Sequence, residues 1–274
     1  MTRKIIAADL SSAEARIFSH FSGDKRLQEV YAKGEDLYSR VAVDVFGRSD
    51  LSAHPDDDNY LKKIDPDLRN LVKVFVLAVP YGSEAFQIAA SLGYLTDKGK
   101  VDSARGQVLI DKYLSTYPNL RRYMVKQELL FKKQGFVRNL FGRIRRFEEA
   151  HEIYKRYGDQ IIDPFWAKKN GLRNERKIVK KALNAAKNFP IQSSCASVMN
   201  RAMIEMGQWI EQSGLDINIL LQVHDELIID CDESLVDIAS EKLKYYMEHN
   251  KYSKLLEVPL IAEPLVGDNL AEVK

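Results

Sequence analysis

Two apolar periods alternate along the chain and divide it into elements. Lys4 to Ala8 is a short apolar run ending at Asp9, which predicts a buried strand. Ser11-Ser12-Ala13-Glu14 then has the spacing of a capping box opening a helix that runs to about His20. Residues 48–66 are polar, carry Pro55 and Pro66, and read as loop. Asp67 to Val79 is apolar with basic residues four apart, closed by Pro80-Tyr81-Gly82, and predicts a helix. Helical periods follow over 84–92, 101–116 and 119–134, then a strand from Phe136 to Leu140 leading into a turn at Gly142. Residues 148–172 show no clean period. Arg173 to Lys187 and Ser194 to Ser213 read as two helices. Ile217 to Val223 and Leu227 to Cys231 are β-rich runs around His224-Asp225-Glu226, a hairpin pattern. Val236 to Glu248 predicts a last helix and Val258 to Leu265 a last strand.

Composition places this pattern in the globular class. Of the 274 residues, 45% are hydrophobic and 29% charged, enough for a sizeable core and against disorder. The net charge of +2 is uninformative, but its distribution is not. One basic run spans Arg121 to Arg146 and another Lys168 to Lys187, while acid gathers at Asp56 to Asp58 and from Asp230 to Glu241. Solvated helix faces and a nucleic-acid face both produce such runs. Cys195 and Cys231 set no disulfide framework and fit a reducing compartment. No apolar stretch reaches the ~20 residues of a membrane span, so the expected localisation is cytoplasmic.

Three constellations carry candidate chemistry. Asp9 and Asp225 each stand at the edge of an apolar β-type run, one at a strand-to-helix junction and one at a hairpin tip. Two converging carboxylates with substrate phosphates suit magnesium, which keeps its waters and is seldom held in an all-protein cage. A lone aspartate at a hairpin tip is also an ordinary turn former. Arg69, Lys73, Leu77 and Tyr81 recur every four residues, a stripe about 18 Å long on one helical face, comparable to a nucleoside triphosphate. Its basic end would meet phosphates and its apolar end sugar and base; basic residues snorkelling to solvent give the same pattern. Asn188-Phe189-Pro190-Ile191-Gln192, with Gln222 and His224, offers side chains that can contact bases or sugars, or simply cap a helix.

In order and spacing these segments resemble the three polymerase motifs of the family A DNA polymerases. Ala8-Asp9-Leu10-Ser11-Ser12-Ala13-Glu14-Ala15-Arg16 is similar to the first, Arg69-x3-Lys73-x7-Tyr81-Gly82 to the second, and Gln222-Val223-His224-Asp225-Glu226-Leu227 matches the third without a change. Tyr117-Pro118, Gly142-Arg143 and Asn188-x-Pro190-x-Gln192 agree as well, so the likeness covers essentially the whole chain.

The resemblance implies an α+β fold. A palm, a small antiparallel sheet backed by helices, would span 1–45 and 185–274, with a mainly helical fingers subdomain inserted at 46–184. On the same resemblance, the thumb and exonuclease domain would be absent from this chain. It implies template-directed DNA synthesis with two Mg2+ ions held by Asp9, Asp225 and the Leu10 carbonyl, and Lys73 as a proton donor to pyrophosphate. Arg69, Lys73, Leu77, Tyr81, Glu14 and Tyr38 would line the dNTP site, Glu14 excluding a 2′-hydroxyl. Arg16, Asn188, Gln192, His224 and Arg143 would contact DNA primer-template.

Departures carry their own expectations. Leu77 replaces the aromatic ring common there, Tyr38 a phosphate-contacting His, and Asn184 an Arg. The segments 48–66 and 148–170 look longer than in bacterial relatives. The chain opens just before the first motif, so the expectation is the C-terminal part of a split phage polymerase whose second polypeptide supplies thumb and exonuclease. A metal-dependent nuclease or a non-catalytic polymerase-like DNA-binding subunit are the alternatives.

Overall fold

The computed structural model describes residues 2–273. Its elements run β1 (Arg3–Leu10), α1 (Ala13–Ser22), α2 (Lys25–Ala32), α3 (Leu37–Asp44), α4 (Leu61–Ile64), α5 (Pro66–Ala78), α6 (Ala85–Ser91), α7 (Ser103–Thr116) and α8 (Pro118–Gln134). There follow β2 (Phe136–Arg138), β3 (Ile144–Arg146), α9 (Glu148–Tyr157), α10 (Pro164–Lys169), α11 (Arg173–Ser213), β4 (Ile217–Val223), β5 (Glu226–Asp232), α12 (Val236–His249) and β6 (Ala262–Gly267). The class is α+β, a small antiparallel sheet with many helices.

The chain divides into two compact units, Met1–His20 with Asn139–Arg143 and Ile191–Lys274, and Phe21–Arg138 with Ile144–Pro190. Residues 21–45 fall within the helical unit and 139–143 within the sheet unit. The stretch 21–45 had no predicted element, yet it forms α2 and α3. Each is opened by an aspartate: Asp24 accepts from the Arg26 and Leu27 amides, and Asp36 from Ser39.

The first unit is built on a four-stranded antiparallel sheet of order β4-β5-β1-β6. β1 is paired on both edges, and Ile6, Ala7 and Ala8 are all buried, which is why its sequence is a continuous apolar run rather than an alternation. α12 packs against β1, β5 and β6, with Ala239, Leu243 and Met247 fully buried at helical spacing. The last strand falls later than expected, beginning at Ala262.

The second unit is helical apart from the β2–β3 hairpin. Its interior gathers Phe131, Val137, Phe147, Ala150, Ile161, Val179, Ala182, Leu183 and Ala186. The 148–172 stretch is helical in α9 and α10 rather than irregular. The pattern is obscured because both helices are short and amphipathic, and only Ala150, Ile161 and Ala167 there are fully withdrawn from solvent. Residues 48–66 are mostly turn, but they include α4.

The two helices expected on either side of Pro190 are one helix of 41 residues. A helix-interior proline removes one backbone bond and costs about 3 kcal/mol. Val179, Leu183 and Ala186 before it and Ile191, Val198, Met199 and Met206 after it are buried, and at ~1.5–3 kcal/mol for each large side chain their burial outweighs that loss.

Candidate active site

In the first unit, strand pairing places the two candidate aspartates side by side. β1 and β5 run antiparallel with Asp9 opposite Glu226, and the Leu10 amide donates to the Asp225 carbonyl at 3.1 Å. β4 and β5 are joined by His224-Asp225 alone, a tighter turn than the three-residue tip predicted from the pattern. Among the described residues the only non-glycine positions with left-handed backbone are Ser12 (φ 54°) and His224 (φ 55°). Each adjoins one arm of the site. Such conformations cost about 1–2 kcal/mol and persist where surrounding structure enforces them.

Register adds a carboxylate that the sequence did not point to. Asp9 lies opposite Glu226 on one side and Glu263 of β6 on the other, so three acids form a row across adjacent strands. Like charges directly opposite each other in a sheet are destabilising. Asp9 and Glu263 are exposed, and Asp225 and Glu226 partly so, leaving the row open to a counterion. No group of three or more His, Cys, Asp or Glu that could hold a metal is found among the described residues. A pair of carboxylates on an open acidic strand row has the chemistry to hold a hydrated divalent ion, with waters and phosphate oxygens filling its remaining positions.

Cys195 of α11 reports the same field. Burial, and then the charges of Asp225, Glu14 and Asp9, push its thiol up to about 12. Glu14, in the first turn of α1, thus contributes to the same local potential as the two aspartates.

Arg16 is buried, and its guanidinium donates to the Ser11 carbonyl at 2.9 Å and the Pro259 carbonyl at 2.7 Å. Those bonds hold the strand-to-helix turn that follows Asp9. Gln192 and His224 are exposed in this unit, as is Arg143. The Arg143 turn is pinned by Asn139, a residue missed in the sequence. Its side-chain amide donates to the Ser193 carbonyl and the Ser197 hydroxyl, and its oxygen accepts from the Phe141 and Arg143 amides. Phe141 stacks on Tyr252 with ring centroids 3.9 Å apart.

In the second unit, α5 carries the basic stripe. Asp65 caps it by accepting from the Leu68 amide, and Pro66 occupies its first turn. Lys73 is exposed beside Val74 and Leu71, while Val72, Phe75 and Val76 are buried. Arg69 makes a two-pronged ion pair with Asp36 (2.9 and 2.7 Å), and its guanidinium lies 5.1 Å from the centre of the buried Tyr38 ring. Tyr81 is not on the helix. α5 ends at Ala78, and Pro80, lacking an N–H, cannot extend it. Tyr81 and Gly82 instead form a turn in which the Gly82 amide donates to the Val79 carbonyl. Gly82 has φ +88°, and a Cβ there would come within 2.4 Å of Asn184 Oδ1, so both backbone and packing demand glycine. Asn188 is partly buried in this unit, with its Oδ1 unpartnered.

The basic runs are only partly solvated faces. Lys187 is buried and paired with Glu128 at 2.8 Å, Lys132 pairs with Asp159 at 2.6 Å, and Lys180 with Glu84 at 2.7 Å. No helix among the described residues is long and apolar enough to cross a membrane.

Comparison with known proteins bears on all of these features together. The chain is 32% identical to DNA polymerase I of Pseudomonas aeruginosa over 269 residues, 98% of this chain and 25% of that protein. It is 26% identical to the thermostable DNA polymerase I of Thermus aquaticus, covering 98% of this chain and 27% of that one. The polymerase domain of Pol1 from M. smegmatis, solved in complex with DNA primer-template and dNTP, superposes with a TM-score of 0.77 at 27% identity, covering 98% of this chain and 40% of that one. The chain thus spans about a quarter of the length of these curated relatives. The model of DNA polymerase family A matches residues 1–272, and with its acidic strand pair and basic helix the chain belongs to that family.

Proposed function

We propose that this chain catalyses template-directed DNA synthesis, joining a dNTP to a primer 3′-hydroxyl with release of pyrophosphate. The observation that carries the proposal is the Leu10–Asp225 backbone bond, which seats Asp225 beside Asp9 on an acidic strand row. Asp9 and Asp225, assisted by the Leu10 carbonyl, would hold two magnesium ions. When bound, these ions would lower the barrier by activating the attacking hydroxyl and neutralising charge on the leaving phosphate.

The chain's own groups position and protonate. Lys73, exposed on α5, would take a triphosphate oxygen and give a proton to the departing pyrophosphate. Arg69 already stands in a charge-assisted pair with Asp36, so it would either exchange that partner for phosphate or fix α3 against α5. Tyr38, buried under Arg69, would act through that arginine. Glu14 would crowd a 2′-hydroxyl. Leu77 and Tyr81 would meet the base pair, and Arg16, Asn188, Gln192, His224 and Arg143 would hold or support primer and template. Palm and fingers would correspond to 1–45 with 185–274 and to 46–184, or to the compact units where these differ. A thumb and an exonuclease would come from further polypeptide, continuous with this chain or separate, as a second subunit of a phage replicase would be.

Primer extension with magnesium and four dNTPs, with and without candidate thumb-bearing partners, tests the proposal. Template-dependent elongation with stoichiometric pyrophosphate is the expected result. Release of nucleoside monophosphate would indicate a nuclease instead, and DNA binding without either product a non-catalytic subunit.

Leu77 bears on nucleotide choice, because an aliphatic side chain stacks less well on a base pair than an aromatic ring. Leu77→Tyr is expected to shift the relative incorporation of dideoxynucleotides by roughly two- to tenfold, from a stacking difference of about 0.5–1.5 kcal/mol. Equal dideoxy-to-deoxy ratios in the two proteins would contradict this role.

A further inference from the structure

Outside the candidate active site, α10 displays an unusual combination. Phe165 is 83% exposed. A lone exposed apolar residue is ordinary and needs no explanation, but this one is held on a rigid base. Asp163 caps the helix by accepting from the Phe165 amide at 2.7 Å and the Trp166 amide at 3.1 Å. Ala167 on the opposite face is fully buried, and Trp166 packs on Tyr157 with ring centroids 6.0 Å apart. The backbone under Phe165 is therefore fixed while its ring faces solvent.

Charge surrounds the ring. Lys168 and Lys169 lie three and four residues on, on the same helical face, and both are exposed. Among the described residues neither is paired with a carboxylate. Arg156, at the end of α9, lies 5.9 Å from the centre of the Tyr157 ring. The nearby acids are already engaged: Asp159 with Lys132, Glu152 with Lys155, and Asp163 with the helix amides.

We propose that α10 is a stacking platform for unpaired nucleic-acid bases, with Phe165 under a base and Lys168 and Lys169 on the adjoining phosphates. A π-face beside cations binds single strands with little sequence preference. A duplex hides its base faces, so the ring selects against it. A protein-docking hot spot would lie within a wider apolar surround, whereas the next exposed residues along α10 after Phe165 are Lys168 and Lys169. The source of the ligand, unpaired template ahead of the primer end, rests on the polymerase reading; the affinity itself does not.

Binding of the full chain to three probes tests this: oligothymidylate, a primed template with a 5′ overhang, and a blunt duplex. Phe165→Ala is expected to weaken the first two about tenfold, the loss of one stacked base. Blunt-duplex affinity and thermal melting should stay unchanged, and Phe165→Trp should keep wild-type affinity. Replacing Lys168 and Lys169 with alanine should lower the salt slope of oligothymidylate binding by about 1.4. Oligothymidylate affinity of Phe165→Ala within twofold of wild type would overturn the platform, as would an equal loss on blunt duplex. Absence of primer extension both with and without candidate thumb-bearing partners, with Phe165-dependent oligothymidylate binding intact, would support the platform and count against the polymerase reading alone.

Discussion

Asp225→Asn is expected to lower primer extension by at least about 10³-fold, the equivalent of several kcal/mol of charge stabilisation at the reacting phosphate. The substitution is nearly isosteric and leaves the Asp225 carbonyl free to accept from the Leu10 amide, so the sheet that carries the site should remain intact. Melting temperature should hold or rise, because one negative charge leaves an acidic cluster that already includes Asp9, Glu226 and Glu263. That opposite movement of activity and stability is the signature of a group retained for chemistry. Steady-state incorporation and a melting curve on the same preparation check it. Activity within tenfold of wild type would remove Asp225 from the reaction, while parallel loss of activity and stability would make it a turn residue.

Phe131→Ala is expected to destabilise the helical unit by about 3–5 kcal/mol, the range for deleting a fully buried phenylalanine. Its ring is 0% exposed and sits edge-on to Phe147 and His151, 5.8 and 6.0 Å away, with Tyr154 tilted at 5.9 Å. The surrounding side chains come from several elements, so the cavity cannot collapse by a single local shift. Against a typical domain stability of about 5–15 kcal/mol the loss is a large fraction of the total. Urea denaturation followed by circular dichroism should show a markedly lower midpoint, with Phe131→Leu intermediate. A midpoint near wild type would mean that α8, α9 and the β2–β3 hairpin do not depend on one another for their packing.

Local chemistry made several features readable in advance. The apolar run before Asp9, the proline-closed basic helix and the hairpin around Asp225 are written in consecutive residues, and the order of the three motifs carried the family likeness. Asp24 and Asp36, as helix caps, could have signalled α2 and α3, but short helices with few buried positions leave a weak period. The continuity of α11 through Pro190 was not legible, because the cost of proline is local whereas the compensating burial is contributed by distant residues.

The amino-acid sequence alone determined which residue types stand at the candidate site and that acids belong to strand edges while bases belong to helices. Tertiary structure alone decided that Leu10 pairs with Asp225 next to Asp9, that Glu263 completes the acidic row, that Arg69 is held by Asp36 beside Tyr38, and that Asn139 ties the Arg143 turn to Ser193 and Ser197. The physical reason is the range of the interactions. Periodicity and capping act over a few residues of chain, while strand register and ion pairing join residues from 33 to more than 200 positions apart, whose proximity no short window of sequence encodes.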